Sequence, residues 1–308
     1  MKYAFLFPGQ GSQTVGMGKD LFDSFENVRK RMLQADALLG RELTKIIFTG
    51  PAETLTMTGN TQPALFTVEA AITDLLTERG IVPEVTAGHS LGEYSALYAA
   101  GVITFEDGLR LVARRGELMA AAGSKKPGTM AAIIGLDQSR IALVLRDIHS
   151  GVVVIANENT PDQTVISGEV AAVNEACGKL KSAGAKKTVP LAVSGAFHSP
   201  LMQGAADEMA AVLAPVIFRA PKCPVIANVT ARPENDAALL KELLVKQLVS
   251  PVRWVASMEV LAISGCDVCV EAGPGSVLRG LARKCSDKLN AVAADTAANI
   301  SSLLQKSG

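Results

Sequence analysis

The chain has 308 residues, 48% hydrophobic and 19% charged, with 30 Lys+Arg against 30 Asp+Glu. That is enough chain for one large or two smaller domains at ~150 residues each, and its balanced charge gives no overall pull on nucleic acid or an anionic membrane. No apolar run is long enough to span a bilayer, Tyr3-Ala4-Phe5-Leu6-Phe7 is cut at Pro8-Gly9 before it could form a secretory signal, and five scattered cysteines make no disulfide framework, so the expectation is a soluble cytoplasmic protein.

Strand and helix signals alternate along most of the chain, which predicts an α/β fold with a mostly parallel central sheet. A strand over residues 3–7 comes first. A helix begins near Asn60, with Pro63 in its first turn, Leu65, Val68, Ile72 and Leu76 at helical spacing, and Gly80 at its end. A short strand follows the turn residues Pro83 and Glu84, then a helix over 91–100 closed by Gly101, then another over 104–121. Residues 123–128, Gly-Ser-Lys-Lys-Pro-Gly, read as a linker. Beyond them the order is strand 130–134, helix 139–148, strands 152–156 and 164–167, helix 170–183 and strand 187–191. That is the ferredoxin-like order. The domain expectation is a large body of residues 1–124 and 193–308 with a small subdomain of 125–192 inserted. The large body resumes with a helix over 200–213, a strand at 225–228, a helix over 237–248, a strand at 268–271, and Gly273-Pro274-Gly275 ahead of a last helical pair. A cleft between the two bodies is the expected site.

Gly88-His89-Ser90-Leu91-Gly92 has the form of a nucleophile elbow, a serine between two glycines at a strand-to-helix turn. A Cβ on either flank would collide with the backbone around the serine. The start of the next helix presents N–H groups that suit a developing oxyanion. Three histidines compete as the base. His89 lies within the turn, which directs it away from the hydroxyl toward packing. His149 ends a helix of the small subdomain and reads as a solvated residue favourable to the dipole. His198, in Ala196-Phe197-His198-Ser199-Pro200, precedes a helix with Ser199 as N-cap, and the positive end of that dipole would keep the ring neutral. On its own it would read as a loop histidine; beside the elbow it is the expected base. No aspartate stands out as a third member, so a Ser–His dyad oriented by a backbone carbonyl is expected.

Arg115 falls near the centre of the apolar stripe of Leu111, Val112, Leu118 and Met119 at ~100° per residue. A buried guanidinium needs an anion. Two readings stand: a salt bridge to a local Asp or Glu, or a fork for a substrate carboxylate. The loop Pro8-Gly9-Gln10-Gly11-Ser12-Gln13 fits neither a dinucleotide nor a phosphate loop, because Thr14 and Asp20 occupy positions those patterns reserve. It suits a second oxyanion N–H at a strand end. Cys266 and Cys269 sit in an alternating run that reads as a buried strand, with no second pair or nearby histidine to complete a zinc site.

Taken in order, residues 7–13, 88–97, Arg115-Gly116, Phe197-His198, 247–252 and 271–275 resemble the malonyl-CoA:acyl carrier protein transacylases of type II fatty acid synthesis, nearly end to end. The resemblance implies a hydrolase-like α/β large subdomain carrying a ferredoxin-like small one. It implies Ser90 as nucleophile, His198 as base and Arg115 as the ligand of the malonyl carboxylate. It places the oxyanion hole on the N–H groups of Gln10 and Leu91, and the carbonyl of Gln247 on the histidine. Phe197 and Gln247 join Arg115 at the substrate site. Malonyl-CoA and acyl carrier protein are the implied partners; coenzyme A and phosphopantetheine enter as substrate and carrier, with no cofactor and no metal, and the chain is expected to be a monomer. Gly195-Ala196-Phe197 departs from many stand-alone members, which carry a smaller residue there, and resembles the malonyl-selective acyltransferase domains of polyketide synthases. A bulky Phe197 should exclude an α-methyl branch, at a discrimination of about 1–3 kcal/mol. Lys186, Lys187, Arg279, Arg283 and Lys284 are candidates for a basic rim facing an acidic carrier, or are ordinary solvated side chains. A freestanding polyketide acyltransferase, a serine thioesterase or esterase, and a non-catalytic carrier-binding module are the rival readings.

Overall fold

Two sheets divide the strands in a computed structural model that describes residues 1–193 and 195–307. In chain order the strands are β1 (Tyr3–Phe7), β2 (Pro83–Gly88), β3 (Gly128–Ile134), β4 (Val153–Thr160), β5 (Gln163–Glu169), β6 (Lys187–Pro190), β7 (Val225–Ile226), β8 (Pro233–Glu234), β9 (Val268–Glu271) and β10 (Ala291–Ala293). The larger sheet runs β10-β9-β1-β2-β7-β8. It is parallel throughout except for β8, which is antiparallel to β7 at the edge.

Strand β1 shows why the sheet is central. All five of its residues are buried, as expected where both faces of a parallel sheet are covered. Alternate side chains supply two cores. Tyr3, Phe5 and Phe7 join the cluster of helices Thr58–Glu78 and Phe105–Lys125, whereas Ala4 and Leu6 pack with Trp254, Met258 and Leu278 on the other face.

The smaller sheet has the order β4-β5-β3-β6 with every neighbouring pair antiparallel. Helices Gln138–Arg146 and Val170–Ser182 pack on it around Ile133, Ile141, Ile166, Val173 and Leu180. This is the ferredoxin-like arrangement. β4 also reaches the large body: Glu158 N–H donates to Val252 O at 2.9 Å and Val252 N–H to Ala156 O at 2.8 Å, a short parallel bridge between the two units.

Several expectations shift. The linker expected at 123–128 begins inside a helix, because Phe105–Lys125 continues through Gly123. That glycine is buried and lies so close to Gly195 that a Cβ on Gly195 would stand 3.2 Å from its Cα, so small size there serves close packing rather than a break. Pro63 is the sixth residue of helix Thr58–Glu78, not part of its first turn. The Gly59 carbonyl that proline leaves without its helical donor accepts from Arg41 Nη2 at 3.0 Å instead. The helix expected over 200–213 opens as a 3-10 turn, Pro200–Met202, before the α-helix Gln203–Leu213. Helices at Lys19–Ser24, Glu26–Leu39, Leu43–Thr49, Ala52–Thr56 and Trp254–Ala262 were not anticipated. Ser194, in the segment leading to His198, lies outside the described residues. Among the described residues no helix is long and apolar enough to cross a membrane.

Candidate active site

The elbow forms where β2 ends at Gly88 and helix Gly92–Ala99 begins. Its clearances are absolute. A Cβ on Gly88 would fall 1.9 Å from the Gly92 carbonyl, and one on Gly92 would fall 2.0 Å from Phe7 O. Ser90 between them adopts φ 53°, a left-handed conformation that is costly for a serine and persists only where its surroundings enforce it. Three hydrogen bonds do so. His89 N–H donates to Phe7 O at 2.9 Å, Ser90 N–H donates to Asn228 Oδ1 at 2.8 Å, and Asn228 Nδ2 donates to Gly88 O at 2.6 Å.

His198 stands across the hydroxyl, itself at φ 56°. Ser90 Oγ donates to its Nε2 at 2.7 Å, and its Nδ1 donates to the backbone carbonyl of Gln247 at 2.8 Å. A carbonyl only accepts, so this bond puts the ring proton on Nδ1 and leaves the Nε2 lone pair facing the serine. The ring is 4% exposed. Burial first, and the nearby Arg115 cation second, push its pKa down to about 3. A helix dipole was the expected cause of the neutral ring. His198 instead leads into a 3-10 turn of only three residues, and desolvation with the neighbouring cation supplies the effect.

Arg115 is 1% exposed on helix Phe105–Lys125. Of its two open readings, the local salt bridge fails: among the described residues no carboxylate pairs with it. Its acceptors are amide oxygens and the serine itself. Nη1 donates to Gln62 Oε1 at 2.9 Å, while Nη2 donates to Gln247 Oε1 at 2.8 Å and Ser90 Oγ at 3.2 Å. Nε finds no acceptor. The guanidinium also lies over the Tyr94 ring, 5.6 Å from its centroid, and a buried cation held by neutral dipoles can pair with an anion that enters the site.

Ser90, His198 and Arg115 share a cavity of about 110 Å³ with Gln10, Leu91, Phe197 and Val193, and its walls include Met130, Asn157 and Leu191 from the small subdomain side. The backbone N–H groups of Gln10 and Leu91 find no acceptor among the described residues, as the first residues of a turn and of a helix start leave them. Gln247 differs from expectation. It is fully buried and absent from the cavity wall, so it holds His198 and Arg115 from behind rather than touching substrate. His89 packs, its Nε2 2.9 Å from Asn159 Oδ1 and its ring 5.3 Å from that of Trp254, but it is half-buried and also lines the cavity beside Ser90. His149 is exposed. On the expected basic rim, Arg279 is engaged by Glu271 at 3.1 Å, whereas Lys186, Lys187, Arg283 and Lys284 are exposed.

The residues that sequence reasoning did not find are Asn228, Gln62, Asn157 and Glu93. Glu93 is 1% exposed. Its Oε2 accepts from Gln247 Nε2 at 2.6 Å and from Asn228 N–H at 3.4 Å. Burial pushes its pKa up to about 7, against the opposing pull of these donors and Arg115. A glutamate inside the elbow helix and a glutamine amid the apolar residues of helix Thr58–Glu78 were the available signals.

This geometry has known counterparts. The acyl transferase domain family matches residues 4–305. A malonyl CoA-acyl carrier protein transacylase of Salmonella typhimurium is 44% identical over 305 residues, covering 98% of this chain and 99% of that one. Among solved structures, a malonyl-transacylase in complex with a type II polyketide acyl carrier protein superimposes with a TM-score of 0.96 at 41% identity, covering 99% and 100% of the two chains. An acyl carrier protein S-malonyltransferase from Vibrio cholerae does so at 0.95 and 43%, covering 98% and 100%. The chain belongs to the acyl transferase family and, within it, to the malonyl CoA-acyl carrier protein transacylases.

Proposed function

We propose that this chain moves a malonyl group from malonyl-CoA to the phosphopantetheine thiol of acyl carrier protein through a malonyl ester on Ser90. The observation that carries the reading is one hydroxyl held at 2.7 Å by an unprotonated histidine nitrogen and at 3.2 Å by a buried guanidinium lacking a carboxylate partner.

The steps arise from the contacts. His198 Nε2 takes the Ser90 proton as Oγ attacks the thioester carbonyl. The oxygen that becomes negative faces the N–H groups of Gln10 and Leu91, and Arg115 holds the malonyl carboxylate. As the intermediate collapses, His198 returns the proton to the coenzyme A sulfur, which leaves as a thiol. The carrier thiol then attacks the Ser90 ester, giving its proton to His198, and the serine regains it on release. Each half-reaction exchanges one acyl–sulfur bond for one acyl–oxygen bond or the reverse, so no redox partner or cofactor enters. His198, neutral at physiological pH, is ready to act as base in both halves.

Cavity size supports a short acyl group. The space beside Ser90 is about 110 Å³. Phe197 on the wall narrows the room beside the α-carbon, and the same reading places the chain in the cytoplasm as a monomer serving fatty acid synthesis.

The test compares malonyl- and acetyl-CoA as donors in the native protein and in Arg115→Ala. Removing one partner of a buried ion pair should lower malonyl transfer by roughly 100-fold, with a much smaller loss for acetyl transfer. Equal losses would make Arg115 a structural cation. Release of free malonate as fast as transfer would identify a hydrolase.

A further inference from the structure

We infer that Glu93 is a positioning residue for malonyl selectivity: through the side-chain amide of Gln247 it aims a neutral oxygen at Arg115, supplying the buried cation with a carboxylate counter-charge at one remove. The inference rests on the malonyl transfer proposed above and goes beyond it in assigning a role to residues that never touch the acyl group.

The amide orientation carries the point. Gln247 Nε2 lies 2.9 Å from Ser90 O and 2.6 Å from Glu93 Oε2. A carbonyl oxygen accepts only, so the bond to Ser90 O turns the NH₂ end toward Ser90 and Glu93 and the oxygen the other way. There it meets Arg115 Nη2 at 2.8 Å. The chain of contacts is therefore guanidinium, amide oxygen, amide nitrogen, carboxylate. Glu93 also sits in the first turn of helix Gly92–Ala99, where the helix dipole favours the ionised form.

A spacer serves a purpose that direct contact would defeat. If a glutamate touched Arg115, the cation would be neutralised in place, and a substrate carboxylate would have to displace a buried ion pair. With two glutamine oxygens around it instead, the guanidinium is solvated yet uncommitted. The opposite charge nearby offsets part of its burial cost without competing for its donors. The same glutamine fixes Ser90 through its backbone oxygen and His198 through its own carbonyl, so Glu93 anchors an amide tied to all three groups.

The experiment measures kcat/KM for loading from malonyl-CoA and from acetyl-CoA at pH 8.5, where Glu93 is ionised, in native protein, Glu93→Gln and Gln247→Glu. Glu93→Gln keeps the shape and removes the acceptor-only demand on the amide. Losing a charge-assisted positioning contact should lower the malonyl-to-acetyl ratio about tenfold, mainly through a higher KM for malonyl-CoA. Gln247→Glu puts a carboxylate directly on Arg115 and should lower the ratio at least as far. It leaves the backbone carbonyl on His198 in place; if Glu93→Gln does not fold, Glu93→Asp, which keeps the charge but shortens the reach to Gln247 Nε2, decides the matter by the same fall in the ratio. An unchanged ratio in the folded variants, whether both rates fall together or neither changes, overturns the inference. Failure of the native protein to load malonyl at all would instead overturn the function on which it rests.

Discussion

The elbow of the large sheet and the ferredoxin-like sheet lie on opposite sides of one cavity, yet they are built to different tolerances. Around Ser90 the backbone approaches itself so closely that positions 88 and 92 admit no Cβ, and two residues accept left-handed dihedrals. In the small sheet, helix Val170–Ser182 carries Gly178 with nothing within 4 Å of where a Cβ would stand. Close backbone approach occurs on both sides, since a Cβ on Gly168 of β5 would also fall 2.0 Å from Val152 O. What sets the elbow apart is the pair of left-handed dihedrals at Ser90 and His198 and the side chains that clamp them, and the two sides are joined by a short strand bridge at Asn157 and Val252.

The same substitution made on both sides should have opposite signs, and this gives the largest effect. Gly92→Ala forces a Cβ to 2.0 Å from Phe7 O, a clash with backbone that exceeds the ~1–3 kcal/mol of ordinary overpacking. Acyl loading should be lost, together with several kcal/mol of stability in a denaturant titration. Wild-type loading by Gly92→Ala would show that the elbow is not held as tightly as its geometry requires.

A second effect, of intermediate size, lies at the meeting of the two regions. Burial and Arg115 depress the His198 pKa to about 3, whereas an unfolded histidine titrates near ~6.5. Its neutral ring therefore contributes stability that is fully present above pH ~6.5 and is lost as pH falls toward 3. His89, lowered chiefly by burial, acts in the same direction. Glu93, raised by burial to about 7, acts oppositely, and favours the folded state as pH falls from 7 toward its unfolded value. His198→Gln removes one acid-labile group, so its loss of stability between pH 7.5 and 5 should be smaller than that of the native protein. Parallel losses in unfolding midpoints would mean that His198 is not held neutral by burial.

The smallest effect comes from the exposed helix face of the small subdomain, where Gly178 has open space. Gly178→Ala should leave loading unchanged and raise stability by up to ~1 kcal/mol, the helix-propensity difference at an unobstructed site. A destabilised Gly178→Ala would show that the small sheet is packed more tightly than its open space indicates.

This contrast also explains how much of the protein was legible in its residues. The elbow could be read because its constraint is local: two glycines, one serine, five consecutive positions. Arg115 could be read because a cation in an apolar helical stripe violates the periodicity around it. His198 emerged only by elimination, and its neutrality comes not from a helix dipole but from burial and a neighbouring charge, which depend on tertiary packing. Asn228, Gln62 and the side chain of Gln247 were invisible as clamps because their partners lie tens to more than a hundred positions away, and amides serve too many roles for identity alone to signal one. The helices over residues 19–56 escaped for a related reason. Several are five to seven residues long, too short for a periodic stripe and held by packing rather than propensity.

The central claim is that Ser90, activated by His198, carries the acyl group between two thiols. It is tested most directly by mixing the protein with malonyl-CoA without carrier protein and reading the intact and peptide masses. The prediction is a single malonyl adduct on the peptide containing Ser90, discharged by a phosphopantetheine thiol and absent from Ser90→Ala. An adduct that persists in Ser90→Ala, or that maps to another residue in the native protein, contradicts it.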